Sequence, residues 1–182
     1  MQQTKTILVF GPPGSGKSYL SNTWRKMGIH TVDGDAMGPS VCRWVREDGT
    51  EDPFPEELKD ADVEWFNTHT FLWNRDALRT FLAEQEPVVV LGVSDNVFDV
   101  LDLFDQVYYL RVPHAVARER LASTTRQAFT AFGQHEEQRE ALEQTIYELD
   151  QKAKTQGIEQ LDAVLSPTEQ LEHIDLREFM HS

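Results

Sequence analysis

The sequence predicts a three-layer α/β/α fold built on a five-stranded parallel sheet. Apolar runs of strand length alternate along the chain with segments of helical spacing, which is the pattern of successive β-α-β units. The run 87–93 is continuously apolar, as expected of a central parallel strand covered on both faces. A glycine-rich stretch joins the first strand to the first helix. The predicted strands are 6–10, 28–32, 87–93, 106–112 and 158–161.

The glycine-rich stretch 11–18 is Gly-Pro-Pro-Gly-Ser-Gly-Lys-Ser. It fits the P-loop pattern, whose backbone N–H groups form an anion nest at a helix N-terminus. We predict that Lys17 reaches the β- and γ-phosphates of ATP and that the Ser18 hydroxyl ligates Mg²⁺. The expected nucleotide-binding residues are Gly11, Pro12, Pro13, Gly14, Ser15, Gly16, Lys17, Ser18 and Tyr19.

Composition narrows the class of protein. A chain of 182 residues is most simply one domain, 1–182, and its net charge of −14 argues against a nucleic-acid-binding face. Cys42 is the single cysteine, so no disulfide framework is expected. No apolar run approaches membrane-spanning length. We therefore expect a cytoplasmic protein, monomeric or homodimeric, without a membrane partner.

Two carboxylates follow the second predicted strand, in the triplet Asp33-Gly34-Asp35. Open α/β sheets bind their ligands at the carboxyl edge of the strands. One carboxylate would face a metal and the other a substrate. The alternative is an Asp-Gly hairpin turn.

Residues 37–60 are rich in proline, glycine and acids, so we expect an irregular loop within an acceptor-binding insertion at 37–75. Arg43, near its start, either binds an anionic group of the acceptor or lies on the surface. Helices are predicted over 60–70 and 74–85, the second with Asn74 as its N-cap. Arg75, near the start of the second helix, is a weaker substrate-binding candidate. The aromatic residues between them are expected in the core: Trp65, Phe66, Phe71 and Trp73.

Two further sets of polar residues are expected at the same edge of the sheet: one aspartate and three arginines. Asp95 follows the central strand and could contact a metal-bound water or substrate, or cap a short helix at 96–103. Arg118, Arg120 and Arg126 follow the fourth strand, where guanidinium groups could bind a nucleotide. The alternative is a solvated helix face.

Three classes of P-loop protein compete. A GTPase normally carries Asn-Lys-x-Asp, which is absent. A motor or AAA-type ATPase would end a strand in Asp-Glu, whereas the central strand here is followed by Ser94-Asp95-Asn96. A small-molecule kinase needs a P-loop, a carboxylate after the second strand and lid arginines. This third class fits best.

The chain resembles the shikimate, gluconate and nucleotide-type P-loop kinases over 11–18, 33–35, 88–92, 109–126 and 157–167. The resemblance implies that Asp33 orients water on Mg²⁺ and that Asp35 contacts the acceptor hydroxyl as its base. It also implies a lid at 118–138, with Arg120 stacked on adenine and Arg126 on phosphates. The loop after the fifth strand, with Ala163, would contact adenine through its backbone.

The expected function is transfer of the γ-phosphate of Mg-ATP to a small-molecule hydroxyl, such as a sugar acid or polyol. Region 37–75 matches none of these kinases, so the acceptor stays open. The alternatives are a nucleoside or nucleotide kinase, and an ATP-binding regulatory protein with little transfer activity.

Overall fold

The computed structural model describes residues 5–56, 63–123 and 136–174. In chain order the elements are β1 (Thr6–Phe10), α1 (Lys17–Lys26), β2 (Thr31–Asp33), β3 (Cys42–Arg46), β4 (Glu51–Asp52), α2 (Val63–Thr68), β5 (His69–Trp73), α3 (Arg75–Gln85), β6 (Val88–Leu91), β7 (Gln106–Arg111), α4 (His114–Ala122), α5 (Glu136–Thr155), β8 (Glu159–Asp162) and α6 (Pro167–Glu172). None of the helices in these ranges is both long and apolar enough to span a membrane.

The central sheet has five parallel strands in the order β2-β6-β1-β7-β8, which confirms the predicted sheet. β1 lies in the middle and is buried along its whole length. Because all five strands run the same way, their carboxyl ends meet at one edge. The segments that follow β1, β2 and β6 therefore come together there.

Alternate residues of β1 pack into two cores, one on each face of the sheet. Ile7 and Val9 pack with Trp24 of α1, whereas Leu8 and Phe10 pack with Leu78 of α3. Helix α4 contributes to the first core and α5 to both. The helices thus cover both faces, as a three-layer α/β/α fold requires.

The expectation of an irregular loop at 37–60 is wrong for residues 42–52, and 57–60 lie outside the described residues. β3 and β4 form a hairpin, and β5 pairs with the other side of β3, giving a three-stranded antiparallel sheet. The hairpin turns at Asp48-Gly49, where Gly49 takes a left-handed φ of 85° and the Thr50 amide donates to Asp48. Asp-Gly is a strong hairpin signal, and it was outweighed in the sequence by the surrounding prolines and acids.

The aromatic segment before α3 also differs from the prediction. A helix was expected through residue 70, but α2 ends at Thr68 and β5 begins at His69. The ring of His69 stacks on Trp65 at 4.1 Å, and its two nitrogens lie 2.8 Å from the Trp65 carbonyl and 3.0 Å from Asp52. Helix α3 is confirmed, with the predicted N-cap: the Asn74 side chain accepts from the Ala77 amide.

Candidate active site

The P-loop occupies the junction of β1 and α1. Gly14 and Gly16 adopt left-handed φ values of 79° and 98°, which L side chains rarely adopt. Gly16 is the N-cap of α1, and no side chain caps that helix. The first turn of a ten-residue helix thus keeps its N-terminus available to an anion. Tyr19, in the same turn, is 67% exposed.

Lys17 lies back across its own loop. Its Nζ donates to the carbonyls of Gly11 at 2.7 Å and Pro12 at 3.0 Å. The ammonium group is therefore held beside the loop whose backbone would surround a phosphate. Gly11 itself is fixed by packing, because a Cβ there would lie 2.6 Å from the Leu110 carbonyl oxygen.

The triplet Asp33-Gly34-Asp35 lies directly opposite the P-loop. The Ser18 Oγ lies 3.4 Å from Asp33 Oδ2, and the other oxygen of Asp33 accepts from the Asp35 amide at 2.9 Å. The hairpin alternative is wrong, because β2 belongs to the parallel sheet and the next strand, β3, belongs to the other sheet. The turn thus presents one carboxylate to the P-loop serine and a second beside it.

Asp35 has a perturbed acidity. Its side chain is open to solvent, yet the protein atoms packed around the carboxyl desolvate it and raise its pKa to about 6. The neighbouring Asp33 carboxylate raises the pKa further, and the Lys17 ammonium opposes both. A carboxylate titrating near neutrality can both hold and release a proton under working conditions, which suits a general base.

The turn is joined to the three-stranded sheet through the carbonyl of Gly34. That oxygen accepts from Trp73 Nε1 at 3.1 Å and from Cys42 Sγ at 3.2 Å. Gly34 also touches Gly92, where a Cβ would lie 2.6 Å from the Gly34 Cα. Burial raises the pKa of Cys42 to about 11, so this thiol is a structural donor rather than a nucleophile. This contact was not predicted from the sequence, although the glycines that follow the adjacent strands β2 and β6 are the available signal.

The donors near the P-loop suit Mg²⁺. Ser18 and Asp33 offer a hydroxyl and a carboxylate oxygen 3.4 Å apart. Over the ranges that the structure describes, no group of three or more His, Cys, Asp or Glu side chains could hold a metal by itself. Mg²⁺ commonly takes one or two protein oxygens and completes its shell with phosphate and water.

Arg120 contacts the P-loop rather than open space. Its Nη1 donates to the Ser15 carbonyl at 2.9 Å and lies 3.4 Å from that of Gly14, while Nη2 donates to the Ala163 carbonyl at 3.0 Å. One guanidinium thus joins the phosphate loop to the segment after β8, the predicted adenine loop. Gln170 supports the same segment by donating to the Asp162 carbonyl at 2.8 Å.

The other arginines that were predicted to bind nucleotide or acceptor either pair with other side chains or lie outside the described residues. Arg118 pairs with Glu136, and Arg126 lies outside the described residues. Arg43 bonds Glu51 at 2.5 Å. Arg75 pairs with Asp102 and donates to the Asp99 carbonyl at 2.6 Å. These contacts turn the three placed guanidinium groups toward carboxylates, not toward the P-loop.

Asp95 serves as a link between the two sheets. Its Oδ2 accepts from the Phe71 amide at 2.7 Å, and its own amide donates to the Phe71 carbonyl. Burial raises the pKa of Asp95. The predicted helix at 96–103 is two short 3₁₀ turns, Val97–Asp99 and Leu101–Leu103. Asn96, rather than Asp95, is at the N-cap position of the first.

Comparison with known proteins identifies the family. The AAA domain family matches residues 7–141, well over half of the chain. The chain belongs to the AAA domain family. Asp-Glu does not follow the central strand, which disfavoured a motor or AAA-type ATPase in the sequence. Membership of this family neither restores that pair nor shows ATPase activity. Among curated proteins, no sequence matches this AAA domain protein.

Solved structures share its fold. A shikimate kinase from Acinetobacter baumannii, in complex with shikimate, is 15% identical with a TM-score of 0.56, over 94% of this chain and 90% of that one. A shikimate kinase from Bacteroides thetaiotaomicron is 19% identical with a TM-score of 0.54, over 99% and 100%. At such identities the likeness shows the fold alone. The predicted resemblance to shikimate-type P-loop kinases is confirmed at that level.

Proposed function

We propose that this AAA domain protein is a phosphotransferase that moves the γ-phosphate of ATP to the hydroxyl of a small molecule. The observation that carries the proposal is the Asp33-Gly34-Asp35 turn beside the P-loop. Asp33 lies 3.4 Å from the P-loop Ser18, and Asp35, next to it, has a pKa of about 6. A site that only binds ATP has no need of a second, proton-accepting carboxylate at this position.

Each residue of this site has its own role in the proposed transfer. The acceptor oxygen bonds to the γ-phosphorus, the bond from that phosphorus to the β–γ bridging oxygen breaks, and ADP leaves. The acceptor proton passes to the Asp35 carboxylate. Lys17 and the P-loop amides stabilise charge on the phosphoryl oxygens, which is the principal contribution that proteins make to this reaction.

Ser18 and Asp33 would hold Mg²⁺, which would neutralise charge on the phosphate oxygens when bound. Arg120 would keep the P-loop and the segment at Ala163 in a fixed relation, so that the phosphate and adenine subsites stay in register. Its contacts with carbonyls of both segments support this role. The three-stranded sheet docked on Gly34 is the proposed acceptor-binding insertion, and 118–138 is the proposed lid.

The test is ADP formation with Mg-ATP and a panel of sugar acids, polyols, nucleosides and nucleoside monophosphates. We expect one class to accelerate ADP formation at least tenfold over the rate without acceptor, and Lys17→Ala to abolish the acceleration. Tyr147→Ala is the control variant, since Tyr147 is a 60% exposed residue of α5 far along the chain from the P-loop. ADP formation that no acceptor changes, in a protein that binds ATP, would refute the proposal and favour a regulatory ATP-binding role.

A further inference from the structure

The three-stranded sheet carries a group of partly exposed aromatic rings, which we call the aromatic cluster. Trp44 lies 4.8 Å from both Trp65 and Phe71, measured between ring centroids. Phe54 is 5.3 Å from Trp65, and Phe66 is 5.4 Å from it. The five rings therefore form one continuous surface from β3, β5, α2 and the segment after β4.

This cluster is unlike the protein's core. Trp24 and Trp73 are 0% and 1% exposed, whereas none of the five rings is fully buried and Phe54 is 37% exposed. Rings that pack only to hold an insertion together would be expected to exclude water. A contiguous apolar surface that stays accessible typically marks a binding site.

The register of the sheet fixes where the cluster lies. Cys42 pairs with Trp73, and both donate to the carbonyl of Gly34, next to Asp35. The next pair on the same face is Trp44 with Phe71. Two residues along a strand span about 7 Å. The aromatic cluster thus begins one residue pair, about 7 Å along the sheet, beyond the pair that holds the turn with the proposed base.

The charges of the same region argue against an anionic acceptor. Arg43 is 2.5 Å from Glu51, Arg46 is 2.5 Å from Asp52, and Arg75 pairs with Asp102. Arg79 pairs with Asp76 at 2.9 Å. Every arginine of the insertion and of α3 within the described ranges is thus neutralised by a carboxylate. A carboxylate or phosphate on the acceptor would need to displace one of these partners.

We propose, on the basis of the proposed function, that the acceptor is an uncharged alcohol that carries a planar aromatic ring. The ring lies against the aromatic cluster and the hydroxyl lies at Asp35. Stacking on Trp and Phe faces suits a flat, neutral ring system, and the spacing suits a hydroxyl a few bonds from that ring. A sugar acid or nucleoside monophosphate is disfavoured because each described arginine of the insertion and of α3 already pairs with a carboxylate.

The first experiment compares acceptors under one condition. Adenosine, thymidine and 2-phenylethanol are the uncharged ring-bearing alcohols; gluconate, adenosine monophosphate and sorbitol are the comparators. We expect a ring-bearing alcohol to give a kcat/KM at least tenfold above every comparator. A comparator that reacts faster would overturn this inference and leave the proposed function standing. No reaction with any member would overturn both.

The second experiment uses variants with the best ring-bearing acceptor. Phe54→Ala removes the most exposed ring of the cluster and should raise KM for that acceptor about tenfold, with kcat and the Kd for ATP unchanged. Trp44→Leu, in the cluster's residue pair two positions along the strands from Cys42 and Trp73, should raise KM at least as much. Tyr147→Ala, an exposed aromatic outside the cluster, should change nothing. A KM unaffected by both cluster variants, in proteins that still bind ATP, would overturn the inference.

Discussion

Replacing Asp35 by Asn should abolish phosphoryl transfer and at the same time stabilise the fold at neutral pH. The pKa of Asp35 is raised from an ordinary value of 3.8 to about 6, first by desolvation and then by Asp33. Without screening this rise corresponds to about 3 kcal/mol of destabilisation when the group is ionised. Because the side chain is open to solvent, we expect about 1 kcal/mol, or a rise in Tm of roughly 2–4 °C.

The pH dependence of this stability difference follows from the linkage between proton binding and folding. The folded state binds the Asp35 proton more tightly than the unfolded state does, so ionisation penalises folding. The penalty is absent below pH 3.8, grows between that value and about 6, and is complete above it. The stability advantage of Asp35→Asn should therefore be present at pH 7.5 and vanish near pH 4. An amide has nearly the same shape as a carboxyl, so packing is preserved.

The assay is thermal unfolding of both proteins at pH 4, 6 and 7.5, with ADP formation measured in parallel. The account predicts a higher Tm at pH 7.5, an equal Tm at pH 4, unchanged ATP binding and a loss of transfer of about 10²-fold or more. A variant that is less stable than the wild-type protein at pH 7.5 would refute the conclusion that the Asp35 carboxylate is desolvated in the folded state. A variant that keeps full transfer would refute its role as the base.

Three other experiments have defined outcomes. Gly92→Ala should lower the free energy of unfolding by about 1–3 kcal/mol in urea titration, since its Cβ would meet Gly34 at 2.6 Å; unchanged stability would contradict that close contact. Arg120→Ala should weaken ATP binding about tenfold or more by fluorescence titration, and Arg120→Lys should not restore it, because one ammonium cannot span two segments; full rescue would show that charge alone suffices. Cys42, with a pKa of about 11, should react with iodoacetamide at pH 8 far more slowly than free cysteine, and equal rates would refute its burial.

The central sheet and the P-loop were predictable from the sequence because each depends on local signals. A continuously apolar strand has to be covered on both faces, and the glycines at Gly14 and Gly16 hold conformations that other residues resist. The approach of Ser18 to Asp33 follows from the topology, since only β6 separates β1 from β2 and both strands end at the same edge of the sheet. The predicted roles of these residues stay predictions until activity is measured.

The insertion was not predictable in the same way. Its sheet depends on a pairing between β3 and β5, which are separated by more than twenty residues, and on rings that meet only after that pairing. The contacts of Arg120 were also hidden, because the sequence shows a guanidinium near a lid but not the two carbonyls that it reaches. Partners that come from distant parts of a chain leave no local pattern.

The most direct test of the account is ³¹P NMR of the products formed from Mg-ATP and the best acceptor. Phosphoryl transfer predicts a new phosphomonoester resonance that grows in step with ADP, and its absence with Lys17→Ala. Release of inorganic phosphate in step with ADP, without a phosphomonoester, would contradict transfer and make this AAA domain protein an ATP-hydrolysing enzyme instead.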